Sequence, residues 1–273
     1  MAEHIVELEA DHPGFNDPDY RRRRDEIATL APPLDSGESP QRVEYNGDEA
    51  RTWATVYQKL TALYPSHACR EFVAIAGDIG YSADRVPQLA DVSTFLTERT
   101  GFRLHPVAGL VSAREFLGAL SRRVFCATQY IRHHSEPLYT PEPDIIHELM
   151  GHAPMLAIPE FADLSQKIGE GSASATYRQV EQLATLYWFT IEYGVLRRDG
   201  ELRAYGAGLL SSFGELEHAL SGDVEIRPFD PWKAKDTAYP ITTYQPLLWS
   251  VTSIREAFER MDEFVRSLER VKS

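Results

Sequence analysis

The sequence predicts a mainly α-helical protein with small β elements, on two observations. Apolar residues recur at helical spacing in several long stretches, whereas only short segments near 102–109 and 201–204 have an extended character. The 273 residues show no internal repeat and no boundary that divides them well, and this length suffices to bury a large apolar core. We therefore expect one domain, residues 1–273.

The N-terminal region, residues 1–50, is predicted to be an extended arm that wraps this domain. Residues 11–50 are rich in Pro, Gly, Asp and Asn, which interrupt regular structure. Within this region we expect one short helix, near 18–30. The arm is not expected to form a second domain.

Helical spacing recurs along the rest of the chain. It runs from 52 to 76, where Pro65 is expected to separate two helices. One further helix begins near Pro87, and another follows Ser112, which is a candidate N-cap. The longest periodic stretch, 178–197, predicts one central buried helix, and a last helix is expected from about 252 to 268.

Charge and cysteine content exclude several classes of function. The formal net charge of -13 opposes binding to nucleic acid and to anionic membranes. No stretch approaches the roughly 18 apolar residues of a membrane span, and the first residues lack the pattern of a signal peptide. Only Cys69 and Cys126 are present, too few for a disulfide framework. We expect a reduced, cytoplasmic enzyme that acts on a small molecule.

Two histidines and one glutamate give the strongest indication of function. His147 and His152 flank Glu-Leu-Met-Gly, and Glu192 lies 40 residues beyond His152 in a long aromatic stretch. Two imidazoles and one carboxylate are the ligand set of non-haem Fe(II) oxygenases. The alternatives are that one histidine is a core residue and the other a helix cap, and that Glu192 pairs with Arg197 or Arg198 or points into solvent.

The histidine spacing argues against the main rival, a zinc hydrolase with Glu148 as base. Zinc peptidase motifs place two histidines four residues apart, whereas five residues rotate an ideal helix by about 140° beyond a full turn. Convergence requires the helix to end or distort, and Gly151 with Pro154 offers a break. Asp144, three residues before His147, is expected to accept the N–H of its imidazole and fix the tautomer.

Four segments resemble the pterin-dependent aromatic amino acid hydroxylases. They are Thr128-Gln-Tyr-Ile-Arg-His133, Tyr139-Thr-Pro-Glu-Pro-Asp-Ile-Ile-His-Glu-Leu-Met-Gly-His152, Tyr187-Trp-Phe-Thr-Ile-Glu192 and Ala204-Tyr-Gly-Ala-Gly-Leu-Leu-Ser-Ser-Phe-Gly-Glu215. The resemblance extends to Asp11-His-Pro-Gly-Phe15 and to the C-terminal region, so it spans nearly the whole chain. It is greatest for the catalytic domain of the phenylalanine 4-hydroxylases.

This resemblance implies the catalytic-domain fold of the family and an Fe(II)-dependent monooxygenase. Such an enzyme uses O2 and tetrahydrobiopterin, or a related tetrahydropterin, to hydroxylate the ring of free L-phenylalanine to tyrosine. It also implies that His147, His152 and Glu192 hold the iron. The implied pterin contacts are Gly109, Val111, Phe116, Leu117, Glu148, Ala184 and Tyr187. The implied amino acid contacts are Arg132, Tyr139, Thr140, Trp188, Ser211 and Ile241, with Arg132 on the carboxylate and Asp144 behind it.

Two positions bear on the substrate that this resemblance implies. Trp188 matches the phenylalanine and tyrosine hydroxylases, whereas tryptophan hydroxylases typically have Phe there. Ile241 stands where tyrosine hydroxylases usually carry Asp, and an apolar residue gives a phenol hydroxyl no partner. Phenylalanine is therefore the expected substrate, in phenylalanine catabolism, with tryptophan 5-hydroxylation or phenylalanine 3-hydroxylation as the alternative. The sequence departs from the family pattern at Ala113 and Cys126, where a serine and a histidine are frequent.

The resemblance begins near residue 5 and does not include the regulatory domain or the tetramerisation helix of the animal enzymes. We expect an unregulated monomer, or at most a weak dimer. A stable tetramer at micromolar concentration in size-exclusion chromatography would contradict this expectation.

Overall fold

The computed structural model describes residues 8–34 and 36–270, which form a mainly helical structure, as predicted. The α-helices are α1 (Pro18–Ala28), α2 (Gly47–His67), α3 (Arg70–Asp78), α4 (Leu89–Thr100), α5 (Ala113–Leu120), α6 (Ala153–Leu156), α7 (Pro159–Ser172), α8 (Tyr177–Tyr187), α9 (Ala207–Leu210), α10 (Phe213–Ala219), α11 (Pro231–Ala234) and α12 (Ile254–Arg270). Two π-helical turns are π1 (His147–His152) and π2 (Trp188–Glu192). The strands are β1 (Arg103–Pro106), β2 (Val124–Ala127), β3 (Val195–Arg198), β4 (Glu201–Ala204), β5 (Glu225–Pro228) and β6 (Leu247–Val251).

One large apolar core runs through the molecule, from Trp53 in α2 to Val265 in α12. Helix α7 lies in its middle and packs against α5, α8 and α12. Both π-helical turns contribute fully buried side chains to this core, so the candidate ligands are carried on rigid structure. Within the described ranges, no helix is long and apolar enough to cross a membrane.

The arm is anchored by Arg24 of α1, whose side chain is 2% exposed. Its guanidinium lies 3.9 Å from the ring centroid of Tyr130 and bonds to the carboxylate of Glu142. The Nε2 of His12 lies 3.1 Å from the same carboxylate. The arm thus holds the segment that contains Tyr130 and Glu142. Residues 1–7 of the predicted arm lie outside the described residues.

Helix boundaries mostly follow the expected capping chemistry. Ser112 caps α5 as predicted, because its Oγ accepts from Glu115 N at 3.3 Å while the Glu115 carboxylate accepts from Ser112 N at 3.2 Å. The two helices predicted for 52–76 are confirmed as α2 and α3, but the predicted break at Pro65 is wrong in position. Pro65 lies in the last turn of α2, and the helix ends at His67, where Ala68 becomes extended and bridges to Ala204.

Two small sheets lie beside the helices. Strands β1 and β2 form a parallel pair, and the second sheet has the order β4-β3-β6-β5, with β3 antiparallel to β4 and parallel to β6. The two predicted extended segments are confirmed as β1 and β4. Strand β2 leads into residues 128–133, and β3 begins just after π2, so each sheet fixes one side of the candidate site.

The single helix predicted for 178–197 is wrong in its last quarter, residues 193–197. The helix begins as α8, continues as π2 and ends at Glu192. The chain then turns at Gly194, where an added Cβ would lie 2.1 Å from the Tyr205 ring. Val195 and Leu196 are buried as strand residues, paired with β4 and β6. Their apolar character fits either structure, so periodicity alone did not distinguish them.

Candidate metal centre and active-site cavity

The widened turn π1 brings His147 and His152 together. Ala153 N donates to Glu148 O, an i to i+5 bond, and such bonding lengthens the turn by about one residue. Residues five apart then lie on nearly the same face, and the two Nε2 atoms are 3.0 Å apart. The predicted distortion is confirmed, but the expected break at Gly151 and Pro154 is not, because the helix continues directly as α6.

Glu192 reaches the same point from π2, where Tyr193 N donates to Trp188 O at 2.9 Å. Its Oε1 lies 3.0 Å from His152 Nε2 and its Oε2 lies 3.6 Å from His147 Nε2. Two atoms bound to a cation at about 2.1 Å and at right angles are about 3.0 Å apart. The three groups therefore have the spacing of ligands on one face of an octahedral cation.

A second carboxylate, Glu148, also lies close to the two histidines, and the ligand atoms of these three residues are within 4.8 Å of one another. Its Oε1 already accepts from Thr128 N at 3.1 Å and from Thr128 Oγ1 at 3.2 Å. Because Glu192 is nearer to both imidazoles, the geometry favours Glu192 as the third ligand and leaves Glu148 beside the centre.

Ser211 fixes the tautomer of His147. The Ser211 hydroxyl donates to Ala207 O at 2.7 Å, so it accepts from Nδ1–H of His147 at 2.8 Å and leaves the Nε2 lone pair directed at the centre. The prediction gave this role to Asp144, whose Oδ1 instead accepts from the backbone N of His147 at 3.0 Å. His152 is held by packing, with its ring 4.4 Å from that of Phe125.

The electrostatic environment keeps two of the three candidate ligands in the deprotonated form that binds a cation. Burial raises the pKa of Glu192, but the attraction of His152 and His147 outweighs this and lowers it to about 2. Burial lowers the pKa of His147 to about 4, although Glu192 opposes the shift. Both groups are thus deprotonated at neutral pH, as metal ligands must be. For His152 burial lowers the pKa, but Glu192 reverses the direction and raises it.

The pKa of Glu148 moves in the opposite sense from that of Glu192. Burial raises the Glu148 pKa to about 7, and the attraction of His152 and the Thr128 hydrogen bonds oppose this shift only in part. The surroundings therefore give Glu148 and Glu192 very different pKa values. Such a difference between neighbouring carboxyl groups is typical of functional sites in which the two groups have different roles.

A buried ion pair lies beside the centre. Arg132 Nε and one terminal nitrogen donate to the two oxygens of Asp144 at 2.9 and 2.8 Å, and Arg132 N donates to the same carboxylate at 2.8 Å. Both side chains are almost fully buried, yet Arg132 also lines the cavity described next. The predicted pairing of Arg132 with Asp144 is thus present. The pairing fixes the orientation of the planar Arg132 guanidinium, which faces the cavity.

The centre opens into a cavity of about 640 Å³. Its lining includes all three candidate ligands and the six residues predicted to contact an amino acid: Arg132, Tyr139, Thr140, Trp188, Ser211 and Ile241. Of the predicted pterin contacts, Gly109, Val111, Phe116, Glu148 and Tyr187 line it. Leu117 and Ala184 do not, and Leu117 is a core residue instead. The Thr140 hydroxyl donates to Glu142 O at 2.7 Å, so it can only accept from a ligand.

Several lining residues were not found from the sequence. The Trp188 indole is flanked by the rings of Tyr239 at 4.5 Å and Tyr193 at 4.6 Å, which makes one wall aromatic. Behind this wall the Trp188 Nε1–H donates to the side chain of Gln245 at 3.0 Å. Glu215, within the last quoted motif, lines the cavity as well. Tyr193 directly follows Glu192, so its place in the chain, like that of Glu215 in the motif, was an available signal.

Gly206 lets the chain pass close to the backbone of Glu192. An added Cβ would lie 2.3 Å from Glu192 O, so Gly206→Ala must displace one of the two segments. We expect it to cost about 1–3 kcal/mol of unfolding free energy, as overpacking does, measured by urea denaturation. Gly118→Ala in α5 is the matched control, since nothing lies within 4 Å and alanine favours the helix by about 1 kcal/mol. Equal stability of the two variants would contradict the conclusion that a Cβ at Gly206 displaces the backbone.

Glu215 gives a pH dependence of known sign. Burial raises its pKa to about 7, and Gln245 N, 3.5 Å from its Oε2, opposes the shift only weakly. The folded pKa thus exceeds the ordinary value of 4.5. Between these two values the folded protein binds a proton that the unfolded chain lacks, so the free energy of unfolding contributed by Glu215 falls as pH rises through this window.

Glu215→Gln should remove that contribution. We expect the variant and the wild type to be similarly stable at pH 5, where Glu215 is protonated, and the variant to be the more stable at pH 8. Urea denaturation of both proteins at the two pH values measures this. If the difference in stability between the variant and the wild type were the same at both pH values, the pKa of Glu215 would not be raised in the folded protein.

Comparison with known proteins agrees with this site. The family model described as biopterin-dependent aromatic amino acid hydroxylase matches residues 1–273. The chain is 51% identical to phenylalanine-4-hydroxylase of Caenorhabditis elegans over 269 residues, 50% to tyrosine 3-monooxygenase of Bos taurus and 48% to tryptophan 5-hydroxylase of Xenopus laevis, each over 268 residues. Each match covers 97% of this chain but only 59%, 55% and 56% of those proteins.

A solved structure shares the fold over almost the whole chain. Phenylalanine hydroxylase of Chromobacterium violaceum, with bound iron(III) and oxidised 7,8-dihydrobiopterin, superposes with a TM-score of 0.81 at 29% identity. The match covers 98% of this chain and 94% of that one. The mainly α fold is thus that of the catalytic domain of these enzymes. With the family model matched along its full length, this chain belongs to the biopterin-dependent aromatic amino acid hydroxylases.

Proposed function

We propose that the chain is an Fe(II)- and tetrahydropterin-dependent monooxygenase that converts free L-phenylalanine to tyrosine with O2. The observation that supports this most is the cluster of His147, His152 and Glu192, three converging ligand atoms at one side of a cavity large enough for a cofactor and a substrate. The iron(III) and 7,8-dihydrobiopterin bound in the Chromobacterium violaceum structure of the same fold add to the argument.

The residues fit these groups. His147, His152 and Glu192 would hold the iron, and the two π-helical turns keep them in place. The pterin would lie against Phe116 and Tyr187, whose rings meet edge to face at 5.2 Å, with Glu148 as acceptor for ring N–H groups. Together the bound iron and pterin would supply the electrons that activate O2.

The amino acid would be oriented by its two ends. Arg132, held by Asp144, would bind the carboxylate, and the Trp188 wall would lie against the ring. Ile241 lines the cavity with 69% of its surface exposed and gives a tyrosine hydroxyl no partner, which supports phenylalanine over tyrosine. We also propose that the reaction serves phenylalanine catabolism.

An assay of the iron-loaded protein with tetrahydrobiopterin tests the proposal. Phenylalanine, tryptophan and tyrosine are supplied separately, and the position of the new hydroxyl is read by NMR. We expect para-tyrosine from phenylalanine as the fastest product. Faster formation of 5-hydroxytryptophan or of meta-tyrosine would replace the proposed specificity, and no pterin-dependent product at all would overturn the function. Hydrolytic activity of the zinc-loaded protein, without pterin-dependent hydroxylation by the iron-loaded protein, would instead support the zinc hydrolase.

A further inference from the structure

Gln245 joins two walls of the cavity through its side-chain amide. The residue is 1% exposed and lies between the 240–244 loop and β6. Its Oε1 accepts from Trp188 Nε1 at 3.0 Å, and its Nε2 donates to Pro240 O at 2.9 Å. Because the indole N–H can only donate and a carbonyl can only accept, these partners fix the orientation of the amide.

One of these walls is the Trp188 indole. Tyr239 and Tyr193 lie against it with rings 4.5 and 4.6 Å away and so restrict its tilt. Stacking contacts leave rotation within the ring plane free, because they have no fixed direction in that plane. A hydrogen bond to Nε1 has a fixed direction in the ring plane, and Gln245 provides this hydrogen bond.

The second wall is the 240–244 loop, of which residues 241–244 line the cavity. Its Ile241 lines the cavity and is mostly exposed, so the apolar packing of this side chain does little to fix the loop. At its C-terminal end the Tyr244 ring stacks on His218 at 5.0 Å. Near its start the loop is held by the bond from Gln245 to Pro240 O. The Gln245 amide therefore links the loop to the Trp188 indole directly, in addition to the stacking of Tyr239, the residue before the loop, on that indole.

We propose that Gln245 is a positioning residue that sets substrate preference by holding the Trp188 wall and the Ile241 loop in register. This inference rests on the proposed function, since the two walls are taken to enclose the substrate ring. Binding pockets distinguish ligands that differ by one methylene by about 10–200-fold. A shift of one wall against the other should thus alter the preference between a benzene and an indole ring about tenfold.

Gln245→Met tests the proposal, because methionine has nearly the same shape and cannot make either hydrogen bond. The matched control is Gln88→Met. Gln88 makes the same kind of two-ended bridge to Val43, at 2.9 and 3.0 Å, away from the cavity. For each iron-loaded protein we would measure kcat/KM and Kd for phenylalanine and tryptophan, and hydrogen exchange of amides 241–244.

For Gln245→Met we expect a change of about tenfold in the ratio of the two kcat/KM values and of the two Kd values, with faster exchange in the loop. Gln88→Met should change neither. In a Trp188→Phe background, where the indole N–H is gone, Gln245→Met should have a much smaller effect on both ratios. Such non-additivity is the signature of a direct link.

Three results would overturn the proposal. One is an equal loss for both amino acids, which indicates a structural role only. Another is unchanged exchange in the loop, and the third is full additivity with Trp188→Phe. If the wild type forms no hydroxylated product, the proposed function fails, and the Kd ratios and the exchange rates still decide the role of Gln245.

Discussion

Replacing Glu192 by glutamine is expected to remove bound iron and, with it, all pterin-dependent hydroxylation. Loss of a partner behind a ligand weakens metal binding by about 10–100-fold, so loss of a ligand itself should exceed that range. Glu192 contributes both carboxylate oxygens, at 3.0 and 3.6 Å from the two imidazoles. Metal content by mass spectrometry after gel filtration measures the effect.

Glu148→Gln is the control for this prediction, since Glu148 is the other carboxyl group near the histidines. It should keep its iron and lose activity through a poorer pterin site, seen as a raised KM for the pterin. The reverse pattern, with iron lost in Glu148→Gln and kept in Glu192→Gln, would exchange the two roles.

Asp144→Ala should produce the largest loss of stability. Arg132 would remain buried without its partner, and breaking a buried ion pair in this way costs about 3–5 kcal/mol. Urea denaturation measures the loss. The variant should also bind the amino acid more weakly, because the guanidinium would no longer be held toward the cavity.

The matched control is Asp91→Ala. Arg42 and Asp91 also form a pair with two hydrogen bonds, here through the two terminal guanidinium nitrogens, but both side chains are more than half exposed. Water screens such a pair, and its loss should cost less than about 1 kcal/mol. Similar losses in the two variants would mean that the Arg132 pair is hydrated in solution.

More of the candidate site than of the surrounding backbone structure could be predicted from the sequence. The spacing between His147 and His152 already required a distorted helix, and residue type suggested Glu192. The form of the distortion could not be predicted, because an i to i+5 turn is stabilised by tertiary contacts such as that of Gly151 with Ala207, where an added Cβ would lie 2.5 Å from the carbonyl oxygen.

Roles that depend on distant partners were the ones that the sequence misassigned or missed. Asp144 is near His147 in the chain, so it was assigned the imidazole, yet the partner is Ser211, 64 residues away. Gln245 resembles an ordinary polar loop residue until its contact with Trp188, 57 residues away, is seen. Local patterns carry no information on such pairs, and the same reason explains why Val195 and Leu196 were taken for helix.

The π-helical turn at His147 has a consequence for insertions and deletions in this chain. A turn of this kind is what an α-helix becomes when it accepts one additional residue without shifting its neighbours. Removing Leu149, Met150 or Gly151 would leave His-Glu-x-x-His, the spacing of zinc peptidases. The spacing that lets both histidines reach the Glu192 carboxylate therefore depends on one residue in a single turn, and a deletion there would restore the spacing at which an ordinary α-helix places two imidazoles on one face.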